Sequence, residues 1–249
     1  MHRLILTALC LVTMLSHQIA AADGNAVSST NGDLTLSWGT YKYKNPSEDG
    51  STKSLGAQGN IPLGKYFGLS LMGQVGDLNS SNGPNVDYDY SRIAAAPFWR
   101  DPKIGLVGVA LGRSKFNFKS PSSTDTIDDK AVNASVYFEN VTLSVVRARD
   151  EVKNSSAPDA NYFLTDLVWY PTPDFLLDLT VGAQDAKNEY TLAFEHQLSS
   201  VPALSYGLMY SRDTSQNYEN SAWYVTIAYR FGDNKSLIRR YREDLFGSR

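Results

Sequence analysis

The stretch Ala222-Trp-Tyr-Val-Thr-Ile-Ala-Tyr-Arg-Phe231 decides the fold. Taken in steps of two, Trp223, Val225, Ile227, Tyr229 and Phe231 fall on one face, and Ala222, Tyr224, Thr226, Ala228 and Arg230 fall on the other. A period of two is that of a β-strand. The apolar face carries aromatic rings at both ends with β-branched residues between them. That is the profile of a strand crossing a bilayer, because aromatic rings settle at the two water–lipid interfaces.

The same alternation recurs upstream. Leu34 to Tyr43 sets Leu34, Leu36 and Trp38 against Thr35, Ser37 and Gly39, and Ser54–Ile61 and Phe67–Gly76 follow. Tyr88–Trp99 alternates least cleanly, with Arg92 the guide to its inner face. Ile104–Ser114, Val132–Phe138, Val141–Val145, Phe163–Trp169, Phe175–Val181, Glu189–His196 and Leu204–Tyr210 complete the series. With the final stretch this predicts about twelve strands, of roughly the length that a tilted membrane strand needs. The connections sort into two kinds. Pro62–Lys65, Arg100–Lys103, Glu139–Asn140, Pro171–Asp174 and Ser199–Pro202 are short. The others, such as Asn45–Thr52, Asn79–Asn85 and Ser120–Asp129, are mostly longer and richer in Ser, Asn and Asp. Long loops outside and short turns inside are expected of an up-and-down antiparallel barrel with both termini on the periplasmic side. A soluble β-sandwich is the competing architecture, and it gives no reason for the lengths to alternate.

Met1-His2-Arg3 is a short basic head, Leu4–Leu15 an apolar run, and Ala20-Ala21-Ala22 a small-residue cleavage site. Residues 1–22 are therefore expected to be a signal peptide. Residues 23–33 form a polar lead-in, 34–231 the barrel, and 232–249 a periplasmic tail. Cys10, the single cysteine, lies in the expected signal, so the mature chain is expected to contain no disulfide and no thiolate chemistry. The formal net charge of −3 gives no electrostatic case for nucleic acid.

The pattern from Leu34 to Phe231 resembles the broad class of Gram-negative outer-membrane β-barrels. The closing Tyr229-Arg230-Phe231 resembles the C-terminal assembly signal of that class. Two departures stand out: Thr226 lies near the place of a common glycine, and the chain runs on past Phe231. The resemblance implies an outer-membrane location in contact with lipid and lipopolysaccharide, assembly by the barrel-assembly machinery, and a monomeric porin-like protein without cofactor or metal that passes small hydrophilic solutes or ions.

The inward set is polar and charged. Arg92, Arg147, Asp166, Asp178, Glu189, Glu195 and Arg230 are the candidate lumen residues, with Arg149 an alternative to Arg147. Opposed charges across a lumen orient polar solutes and tune ion selectivity. The same charges could instead cross-link a filled interior, since buried charges must pair. Trp38, Trp99, Trp169, Trp223, Tyr229 and Phe231 are the candidate girdle. His196 is the one histidine after the expected signal and is placed near the periplasmic end. Ser80 falls at the opposite end, so the pair is out of the hydrogen-bond reach that a hydrolase needs. Asp125–Asp129 lacks the spacing of a calcium loop. Three readings follow: a channel, a closed structural or adhesive barrel acting through its outer loops, and a solitary translocator-like barrel. In the tail, Leu237, Ile238, Tyr241, Leu245 and Phe246 recur at helical spacing, with Arg239, Arg240 and Arg242 between them.

Overall fold

A computed structural model describes residues 31–44, 47–82, 87–119, 122–154, 158–185, 187–215, 218–231 and 236–242. The expected signal peptide and most of the tail lie outside the described residues. Twelve strands run Asn31–Lys44 (β1), Ser47–Pro62 (β2), Phe67–Asn82 (β3), Tyr88–Asp101 (β4), Gly105–Lys119 (β5), Ser122–Phe138 (β6), Val141–Lys153 (β7), Ala160–Thr172 (β8), Phe175–Gln184 (β9), Lys187–Gln197 (β10), Leu204–Ser215 (β11) and Tyr218–Phe231 (β12). Each pairs antiparallel with its neighbours in sequence, and β1 pairs with β12 to close the barrel. Closure leaves no strand edge, so every backbone ladder is satisfied within the wall.

Alternation fixes what faces where. On β1, Asp33, Thr35, Ser37, Tyr41 and Tyr43 are buried inside, while Leu34, Leu36 and Trp38 stay exposed outside. On β12, Tyr224, Thr226 and Arg230 point in, and Trp223, Val225, Ile227, Tyr229 and Phe231 point out. Among the described residues, thirty-three large apolar or aromatic side chains are exposed, most of them on this outer wall. A water-soluble monomer rarely exposes a contiguous apolar patch beyond about 300–600 Å². An unbroken belt of this kind needs a hydrocarbon surround, so the barrel is a membrane-spanning one.

Several polar stretches expected as loops are strand. β2 begins at Ser47 within the expected 45–52 loop, and β6 begins at Ser122 within the expected 120–129 loop. β1 also starts at Asn31, because Asn31 to Asp33 pair with Asn60, Gly59 and Gln58 of β2. These segments are polar on both faces, which is what hid them. Above the bilayer the outer face meets water and gains nothing from apolar residues. The wall there is held by the ladder and by rim ion pairs such as Arg113–Asp128 at 2.6 Å. The asymmetry between the two ends is thus one of wall height: β6 has 17 residues and β9 has 10.

β4 is continuous despite its weak pattern. Tyr88, Tyr90, Arg92, Ala94, Ala96, Phe98 and Arg100 all point inward. Pro97 is paired with Leu69 of β3 but drops out of the β4–β5 ladder, as a residue without an N–H does. Several bulky inward rings lie flat over a glycine on the next strand: Tyr224 over Gly39, Tyr90 over Gly76, and Phe98 over Gly68. A β-carbon at any of these glycines would collide with the ring.

Past Phe231, residues 236–242 lie against the end of the barrel that carries the Glu139–Asn140 and Pro171–Asp174 turns. Leu245 and Phe246, part of the expected helical spacing, lie outside the described residues.

Candidate functional site: the lumen

The inner wall has three tiers. The outermost is aromatic. Tyr41, Tyr43, Tyr88, Tyr90, Phe116 and Tyr224 form one buried cluster with Leu78, Ile127 and Met209. Tyr88 meets Phe116 edge-on at 5.5 Å, Tyr41 meets Tyr43 at 5.1 Å, and Tyr90 stacks on Phe116 at 6.2 Å. The cluster draws on β1, β3, β4, β5, β6, β10, β11 and β12, so it runs most of the way round the lumen.

The middle tier is charged. Arg92 donates from Nη2 to Asp129 Oδ2 at 2.7 Å, and both side chains are buried. Asp150 lies directly opposite Asp129 across β6–β7 and accepts a hydrogen bond from Tyr162 at 2.8 Å. Glu189 and Asp213 face each other across β10–β11. Thr180 donates to Asp166 at 2.6 Å. At the start of β1 and the end of β12, Arg230 reaches Asp33 at 3.5 Å across the closing pair of strands. Asn31, Asn60 and Ser70 are joined by side-chain hydrogen bonds. Among the described residues the buried acids number nine (Asp33, Glu48, Asp125, Asp129, Asp150, Asp166, Asp178, Glu189 and Asp213), against four arginines (Arg92, Arg100, Arg230 and Arg242). Outside the strands, Asp159 has its carboxyl held below the usual range, first by the hydrogen bond from Arg149 and then by the Val152 N–H.

The third tier is the tail. Leu237 packs with Val168, Tyr170 and Leu176, and its N–H donates to the Pro173 carbonyl at 2.7 Å. Tyr241 meets Tyr170 edge-on and donates to Asp178 at 3.4 Å. Arg100 donates to the Arg242 carbonyl at 3.3 Å.

Of the candidate lumen residues, Arg92, Asp166, Asp178, Glu189 and Arg230 are buried inside. Glu195 keeps the inward phase of Ala193 and Gln197 and is half-buried opposite Gly207. Arg147 is a correction. It shares its face with Leu143 and Val145, pairs with Phe163, and is exposed on the outer wall, as is Arg149. The inward phase of β7 belongs to Ser144, Val146, Ala148 and Asp150. At this height near the outer rim the Arg147 guanidinium is free to extend toward the polar surface.

Trp38, Trp169, Trp223, Tyr229 and Phe231 are exposed outward, and Trp99 lies on the outward phase of β4 against Tyr66. His196 lies on the outer face between Phe175 and Tyr206, at the end of β10 next to the β10–β11 turn. Ser80 lies near the outer end of β3. The residues that the sequence pattern missed are Asp33, Asp129, Asp150, Asp213, Arg100, Tyr41, Tyr43, Tyr88 and Tyr90. All continue the inward phase of a strand beyond the point where its outer face stops being apolar.

No family model matches the sequence, and no curated protein does. Solved structures do resemble it. An outer membrane channel from Pseudomonas putida F1 superposes with a TM-score of 0.68 at 12% identity, over 86% of this chain and 100% of that one. The KdgM porin, in complex with disordered oligogalacturonate, gives 0.56 at 7% identity over 80% of this chain and 99% of that one. The translocator domain of the autotransporter NalP from Neisseria meningitidis gives 0.54 at 14% identity over 81% and 88%. At these identities the likeness is one of fold. The chain is a closed twelve-stranded antiparallel β-barrel, the fold these outer-membrane proteins share.

Proposed function

We propose that the barrel is a narrow channel for small hydrophilic solutes and ions, cations in preference. The observation that carries this reading is the acid excess of the inner wall, nine carboxyl groups to three guanidinium groups among the described buried strand residues. Negative fixed charge inside low-dielectric walls raises the local cation concentration and lowers that of anions. The structural likeness to an outer membrane channel and to a porin is in keeping with it. The aromatic tier and the docked tail make the resting lumen constricted, so conductance is expected to be small. Refolded protein in a planar bilayer should give discrete, low-conductance openings; a silent bilayer, under conditions where the folded barrel is shown to insert, contradicts a channel.

A second reading is a closed structural or adhesive barrel acting through its outer rim. The buried state of the inward side chains and the tall polar wall of β5 and β6 favour it. Under that reading, shortening the β5–β6 hairpin abolishes adhesion and leaves permeability unchanged.

A further inference from the structure

Arg242 sits in an unusual setting for a tail residue. Its Nε donates to Thr142 Oγ1 at 2.9 Å and its Nη2 to the Val141 carbonyl at 2.7 Å, with a further, short bond to the Phe138 carbonyl. Its guanidinium carbon lies 4.9 Å from the Tyr137 ring centroid and 5.6 Å from that of Tyr170. The side chain is buried, with 7% of its surface exposed. The two carbonyls flank the Glu139–Asn140 turn at the end of the β6–β7 ladder.

We propose that these groups form a guanidinium-binding site at the periplasmic mouth, filled here by the chain's own Arg242, so that the tail is a removable plug. Three features select a planar cation. The hydrogen-bonding atoms are neutral acceptors, two carbonyls and a hydroxyl. They are spaced to receive N–H groups from different nitrogens of one flat fork, which a compact ammonium cannot supply. Two tyrosine rings add cation–π attraction, which strengthens where water is excluded. No carboxylate is among these contacts, so the site attracts the cation without a permanent counter-charge, as a reversible plug requires. Leu237, Tyr241 and the Arg242 carbonyl also hold the described part of the tail, but among its residues Arg242 makes the largest set of side-chain hydrogen bonds, so it is the key to docking. Any guanidinium-bearing solute reaching the mouth from the periplasm competes for the same place.

The consequence for transport rests on the channel reading, but docking can be measured without any conductance. Full-length protein in lipid vesicles, with the tail side accessible, is treated briefly with trypsin, and cleavage after Arg239 and Arg240 is followed by mass spectrometry. Folding of each variant is checked by heat-modifiable electrophoretic mobility. Arg242→Ala should speed cleavage by at least about tenfold, the least expected when hydrogen bonds from a charged donor are lost. Methylguanidinium should slow cleavage of Arg242→Ala back toward the wild-type rate, and methylammonium at the same concentration should not. A Tyr170→Leu change in that variant should remove the rescue. Equal cleavage of wild type and Arg242→Ala, or equal rescue by the two cations, overturns the proposal. A silent bilayer alongside the expected cleavage pattern would reject the channel and leave the site standing.

Discussion

Arg92→Ala is expected to lower the unfolding free energy of the barrel by about 3–5 kcal/mol, the usual cost of removing one partner from a buried ion pair. Arg92 and Asp129 are both nearly inaccessible, and Asp150 stands directly opposite Asp129. Without the guanidinium, two neighbouring carboxylates remain buried side by side. The cost comes from stranding the acids rather than from losing an attraction. A companion change should therefore recover most of it: Arg92→Leu with Asp129→Asn should return to within about 1–2 kcal/mol of wild type, since an apolar or neutral pair of similar volume is often as stable as the ionic one. Reversible urea unfolding in lipid vesicles measures both. A loss below about 1 kcal/mol for Arg92→Ala would mean that water reaches this pair and that the middle tier is open.

The second large effect concerns the aromatic tier. Tyr88→Ala with Tyr224→Ala removes two rings from opposite flanks of the cluster, one on β4 and one on β12. A constriction lined by apolar faces resists ions because water does not fill it. Opening it should raise single-channel conductance by a factor on the order of 5–10, if the tail is displaced as well. The two constrictions lie in series, so either change alone gives less than the triple variant with Arg242→Ala. Conductance of the four proteins in the same bilayer tests the ordering. Equal conductance throughout would place the limiting step elsewhere, in the charged middle tier.

How much of this was legible in the sequence depends on what the outer face of each strand touches. Where it touches lipid, physics demands apolar residues outside and permits polar ones inside, and the alternation is plain. Strand number, the β1–β12 closure, the outward rings of Trp38, Trp223, Tyr229 and Phe231, and the inward phase of Asp166, Asp178, Glu189 and Arg230 all follow from that demand. Where the wall rises into water, the demand lapses. Ser122 to Asp129 then reads as loop although it is paired strand, and Asp129 is hidden with it. Tyr41 and Tyr43 sit above the last apolar outward residue of β1, so their phase was the only clue to a lumenal aromatic tier. Arg147 is the opposite case: a charge suggests an inward residue, but parity with Leu143 and Val145 puts it outside. The site around Arg242 had no local signal, because its acceptors are backbone carbonyls brought to the mouth by a turn a hundred residues away.

The acid-rich lumen is expected to conduct cations in preference to anions. The most direct measurement is the single-channel reversal potential in a KCl gradient, for wild type and for Glu189→Gln with Asp213→Asn. The predicted result is a wild-type potential on the potassium side of zero that moves toward zero when the facing acids are neutralised. A wild-type potential at zero or on the chloride side, or one that those substitutions leave unchanged, contradicts it.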